Sequence, residues 1–113
     1  MKTVKGMRRR SMKQELSLAT DTGGVQQRGS GASKFYKGDV RKKGIFRAEC
    51  KYTKAASFTL KRSELDKIRS ECTYPEVPVF DIIFTDRNGR AMDRWVAVPY
   101  EEWVKQHASS DDS

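Results

Sequence analysis

Gly38-Asp39-Val40-Arg41-Lys42-Lys43-Gly44-Ile45-Phe46-Arg47-Ala48-Glu49-Cys50-Lys51-Tyr52-Thr53 is the stretch on which the fold turns. Asp39-Val40-Arg41 leads into a turn at Lys42-Lys43-Gly44, and a long run then continues from Ile45 to Thr53. Within that run Phe46, Ala48, Cys50 and Tyr52 fall on one side of a strand, while Arg47, Glu49, Lys51 and Thr53 fall on the other. The alternation predicts a hairpin with one buried apolar face and one chemically loaded face. A hairpin of this size brings Asp39 beside Glu49 on the neighbouring strand.

Outward from the hairpin, Ser11-Met12-Lys13-Gln14 matches a capping box, and Met12, Leu16 and Ala19 recur at helical spacing. A helix from Met12 to Thr20 is expected, ended by Gly23-Gly24 and followed by a Gly/Ser-rich loop from Gln26 to Ser33. After the hairpin, Ser57 to Leu60 is a short strand or a lead-in, and Lys61 to Cys72 reads as a helix burying Leu65, Ile68 and Cys72. Pro75 and Pro78 bracket a break, and Val79 to Phe84 reads as an interior strand interrupted only by Asp81. Asp86-Arg87-Asn88-Gly89 is a turn, Trp95 to Val98 a strand stopped by Pro99, and Tyr100 to Gln106 a closing helix. Trp95, Trp103, Cys50 and Cys72 are expected in the core, and Asp81 either at a solvent edge or paired with a basic side chain. The order helix, strand, strand, helix, strand, strand, helix predicts one α/β domain with a mixed central sheet flanked by helices. Residues 1–10 form a basic arm, 11–107 the domain and 108–113 a polar tail.

With 113 residues and 36% apolar content, the chain has room for one core. No apolar run approaches the ~20 residues of a membrane span, and no apolar stretch follows the basic N-terminus as in a secretory signal. A soluble, cytoplasmic protein is expected (host cytoplasm if of phage origin), with no membrane partner. Two cysteines and His107 supply neither a disulfide framework nor a closed zinc site. The formal net charge is +8, unevenly spread. The first 60 residues hold 15 Lys/Arg against Glu15, Asp21, Asp39 and Glu49, whereas the remaining 53 hold eight against 11 acids. Such asymmetry marks a face that meets phosphates.

Two adjacent carboxylates repel, and a hard cation such as Mg²⁺ relieves the repulsion by taking oxygen ligands. A metal held by Asp39 and Glu49 would polarise a phosphate, and Lys51 beside it would orient water or offset developing charge. Gly38-Asp39-Val40 followed by Glu49-Cys50-Lys51 resembles the PD-(D/E)xK nuclease signature, with Gly38 at the place of its proline. That family has an α-β-β-β-α-β, restriction-endonuclease-like core. Glu15 on the first helix and the Gly29-Ser30-Gly31 loop are similar to features of small archaeal-type and phage Holliday-junction resolvases, over roughly Ser11 to Leu65.

The resemblance implies an Mg²⁺-dependent endodeoxyribonuclease, with Mn²⁺ able to substitute, that cleaves phosphodiester bonds in four-way or other branched DNA as a homodimer. Asp39, Glu49, the Cys50 backbone carbonyl and Glu15 would hold the metal. Lys51 would position the water, Glu15 would complete the metal shell or hold Lys51, and Ser30 would touch the scissile strand. Arg8, Arg9, Arg10, Lys13, Arg28, Lys34, Lys37 and Lys54 would contact DNA. Two alternatives stand beside this reading: a phage nicking or restriction-like endonuclease on duplex or flapped DNA, and a non-catalytic basic nucleic-acid-binding module.

Overall fold

The computed structural model describes residues 13–27 and 39–108. Arg8, Arg9, Arg10, Arg28, Ser30, Lys34 and Lys37 lie outside the described residues, as do the N-terminal arm, the Gly/Ser-rich loop after Gln27 and all of the tail but Ala108. The described elements run α1 (13–22), β1 (Val25–Gln27), β2 (Asp39–Lys42), β3 (Phe46–Thr53), α2 (Arg62–Glu71), β4 (Val77–Thr85), β5 (Ala91–Ala97) and α3 (Tyr100–His107). The strands form one sheet in the order β1-β2-β3-β4-β5. β3 and β4 run parallel, joined through α2, and every other neighbouring pair is antiparallel.

Glycine shapes two corners of this path. At Gly23, φ is +78°, and its N–H closes α1 on the Ala19 carbonyl at 2.8 Å. Gly44, at φ +81°, makes the loop that pairs Lys42 with Phe46 and sets the β2/β3 register.

Alternation assigns the two faces of the sheet. Phe80 and Ile82 of β4 point toward α2, where they meet Ile68, with Phe58, Leu60, Phe84 and Ala97 packed around them. Ser57 to Leu60 is thus an irregular lead-in that contributes to the core. Asp81 points the other way, toward α1, together with Ala48 and Cys50 of β3.

Four expectations change. Gln26 and Gln27 belong to a strand, β1, rather than to the loop, because the short segment Val25–Gln27 finds its ladder on β2. Pro78 lies inside β4, at its second residue, where a missing N–H removes one ladder donor near the strand start. Leu65 and Cys72 are not buried, since α2 turns only Ile68 fully inward. Trp95 and Trp103 are not core residues: they are 66% and 53% exposed. Trp95 lies on the sheet's edge strand and Trp103 on α3, which has no buried residue, so apolar neighbours in sequence do not become a core there. Among the described residues no helix is long and apolar enough to cross a membrane.

Candidate functional site

The β2/β3 register places Asp39 directly opposite Glu49, as the hairpin spacing predicts. Both carboxylates and Lys51 share the α2 side of the sheet, because β3 pairs Glu49 with Phe80 and Lys51 with Ile82. The acids therefore stand on the same side as the hydrophobic cluster, and the sheet face beneath α1 carries a buried ion pair. Asp39 is 3% exposed, and its Oδ2 accepts a hydrogen bond from Arg47 Nη2 at 3.2 Å. Lys51 Nζ lies 3.7 Å from Glu49 Oε2 and 4.0 Å from Glu64 Oε2 on α2. Burial raises the Glu49 carboxyl above its ordinary value; Lys51 and Lys67 pull it down, while Asp39 and Glu71 push it up.

Helix α2 thus supplies polar residues that the sequence reading overlooked. Glu64, Lys67 and Glu71 recur on the helix surface that faces β3, and Glu71 lies 4.0 Å from Arg47 Nε. Their spacing of three and four was the available signal.

Glu15 departs from the expected constellation. It is fully buried, but it sits on the α1 side, where its Oε1 accepts from Gln26 at 3.3 Å. Gln26 pairs with Val40 and Val40 with Ala48, so all three point away from Asp39, Glu49 and Lys51. Strand alternation puts the sheet between Glu15 and the carboxylate pair. Glu15 belongs instead to the surroundings of the Cys50 thiol, which burial first, then Asp81 and Glu15, push upward. Lys13 and Lys54 are exposed, Lys13 on the α1 side and Lys54 just beyond the end of β3.

The α1 side is organised around Asp81, which is fully buried and paired with a basic side chain. Arg94 grips it through two bonds, Nε to Oδ1 at 2.9 Å and Nη2 to Oδ2 at 2.6 Å. Arg94 also donates to Ser17 Oγ at 2.9 Å, which ties α1 to the edge strand. Gln14 Nε2 donates to the carbonyls of Lys51 at 3.0 Å and Asp81 at 2.9 Å, so α1 clasps β3 and β4 together.

A fourth buried acid, Glu76, fixes the hairpin from below. It accepts from Arg41 Nε at 2.6 Å, Gly44 N at 3.1 Å and Thr73 N at 2.9 Å. Burial alone would raise its carboxyl, yet these donors hold it at about 2.

Among the described residues, no group of three or more His, Cys, Asp or Glu is arranged to hold a metal ion. Asp39 and Glu49 offer two carboxylates on neighbouring strands. That donor set fits Mg²⁺ or Mn²⁺, which keep several waters and bind through one or two carboxylates plus substrate phosphates. It does not fit a closed zinc site. No family model, no curated protein and no solved structure matches the chain.

Proposed function

We propose that the chain is a metal-dependent DNA endonuclease that cleaves phosphodiester bonds in branched DNA, with the four-way junction as its substrate. One observation carries the reading: Asp39 stands directly opposite Glu49, and Lys51 shares their face with its ammonium 3.7 Å from Glu49. The order helix, three strands, helix, strand, found once β1 is counted, supports a restriction-endonuclease-like core. The basic first half of the chain supports a phosphate-bearing partner.

In this reading Asp39 and Glu49 hold Mg²⁺ or Mn²⁺, with the Cys50 carbonyl as a further oxygen. The ion supplies Lewis acidity and a more acidic bound water. Arg47 orients Asp39. Lys51, steadied by Glu49 and Glu64, positions the attacking water and offsets charge developing on the phosphate. Glu15, across the sheet, supports the strand rather than the reaction.

Two coordinated cuts call for a C2 homodimer. Phe80 and Ile82 are committed to the core, whereas Met92, Trp95 and Val96 on the edge strand are exposed and available to a second copy. A second reading, the non-catalytic basic module, is favoured by the ion pairs themselves. Arg47 on Asp39 and Lys51 between Glu49 and Glu64 are also what an ordinary charged sheet face would make.

Cleavage of a labelled four-way junction with and without Mg²⁺, beside linear duplex and Asp39→Asn, separates these readings. Paired, metal-dependent nicks lost in the variant support the resolvase. Equal cutting of linear duplex would leave a nicking or restriction-like nuclease. Salt-dependent binding without cleavage under Mg²⁺ or Mn²⁺ would leave the binding module.

A further inference from the structure

On the sheet face away from Asp39, Glu49 and Lys51, a groove of about 610 Å³ opens between α1 and the β4/β5 hairpin. Its size falls in the ~300–1,000 Å³ range of small-molecule sites. Lys13 and Gln14 of α1, Tyr52 of β3, Ile83 of β4, and Arg90 and Arg94 from the hairpin line it. Arg94 is spent on Asp81, but Lys13 and Arg90 are exposed and enter no ion pair among the described residues. They leave two uncommitted cations at the groove.

The groove also contains hydrogen-bonding capacity that the protein does not use. Gln14 is 4% exposed, and both hydrogens of its amide are committed to the carbonyls of Lys51 and Asp81. Its Oε1 is buried with no hydrogen-bond partner, and so is the hydroxyl of Tyr52. Buried polar atoms are normally paired, so a shielded acceptor and a shielded hydroxyl left without partners in the wall of a groove that carries two cations describe the complement of a ligand that reaches them by displacing the side chains covering them. That ligand carries an anion for Lys13 and Arg90, an N–H for Gln14 Oε1 and a flat apolar body to lie against Tyr52 and Ile83. A phosphate meets the first need, and the N–H edge and ring of a nucleobase meet the others.

We propose that this groove is a nucleotide-binding pocket, separate from the carboxylate site and independent of whether that site cuts DNA. The nucleotide is either free or an unstacked unit of a nucleic-acid strand; the chemistry recognised is the same.

The test is titration of the full chain in EDTA, followed by calorimetry and by amide and side-chain NMR shifts. The probes are AMP, adenosine, inorganic phosphate and single-stranded tetradeoxyadenylate. The expected result is saturable AMP binding with shifts at the Gln14 side-chain amide, Tyr52 and Arg90. Adenosine and phosphate should each bind about tenfold or more weakly than AMP. Arg90→Ser should weaken AMP about tenfold and leave adenosine unchanged, while Tyr52→Phe should weaken both AMP and adenosine. Gln14 is left intact because its donors join β3 to β4. Tetradeoxyadenylate binding tighter than AMP at the same residues identifies a strand as the source, and equal or weaker binding identifies a free nucleotide. No saturable AMP binding, AMP affinity insensitive to both variants, or phosphate binding as tightly as AMP would overturn the proposal. The absence of divalent metal makes this outcome independent of any cleavage result.

Discussion

Replacing Glu76 by Gln tests how the hairpin is held in register. Its side chain is fully buried and accepts from Arg41, Gly44 and Thr73, joining the β2/β3 turn to the loop before β4. Its carboxyl falls from an ordinary 4.5 to about 2 on folding. At ~1.36 kcal/mol per pH unit this corresponds to about 3 kcal/mol of stability. Because the folded value is the lower one, that stability is fully present above 4.5 and is lost as pH falls toward 2. Glu76→Gln keeps the shape but not the charge, so it should cost about 3 kcal/mol near neutral pH. Urea denaturation of both proteins from about pH 7 down to about pH 2.5 should show the two stabilities converging across the lower part of that range. A difference that stays constant with pH, or one below ~0.5 kcal/mol near pH 7, would refute the assignment of this stability to the Glu76 carboxylate.

Arg94→Met leaves Asp81 buried without its cation and should cost about 3 kcal/mol, at the lower end of what a broken buried pair costs because Arg94 is partly exposed. Adding Asp81→Leu should restore most of it in denaturant titrations; an Arg94→Met protein as stable as the parent would contradict the pairing. Glu49→Gln should raise the melting temperature near neutral pH, because burial and Asp39 already disfavour the charged form, and should abolish cleavage if the site works as proposed. Glu49 raises no stability when ionised, so the variant's advantage should shrink as the pH is lowered through the elevated Glu49 value; a lower melting temperature near pH 7 would argue against it. Trp95→Glu should convert a homodimer to a monomer by sedimentation while changing monomer stability by less than ~0.5 kcal/mol, since the ring is largely exposed. An unchanged mass would remove β5 from the interface.

The hairpin was legible because two independent signals agree: strict alternation from Phe46 to Thr53, and a glycine where the turn needs positive φ. That agreement fixed the register, and with it the Asp39–Glu49 pairing. β1 was not legible, because Val25–Gln27 has no strand character of its own and exists only through its ladder with β2. The tryptophans misled for a related reason. Apolar composition is the same in an interior strand and in an edge strand, and only the sheet order decides which one is covered. Glu15 lies on the expected helix α1, but which face of the sheet that helix covers depends on the pairing of β1, β2 and β3.

The two faces are nonetheless mechanically joined. Gln14 holds the backbone carbonyl of Lys51 from the α1 side, while Glu49 and Glu64 hold its ammonium from the α2 side. The Arg94 guanidinium also reaches the Gln14 carbonyl at 3.4 Å, so the Asp81–Arg94 pair is linked by hydrogen bonds to the helix that clasps β3. A strand between two such sets of contacts cannot slide by one residue without breaking both, since a one-residue slip exchanges its faces. The buried ion pair beneath α1 and the carboxylates beside α2 are therefore two consequences of one register. The first costs desolvation and is repaid by the bidentate contact; the second leaves Asp39 and Glu49 adjacent and Glu49 raised by burial, the arrangement that a divalent cation would relieve.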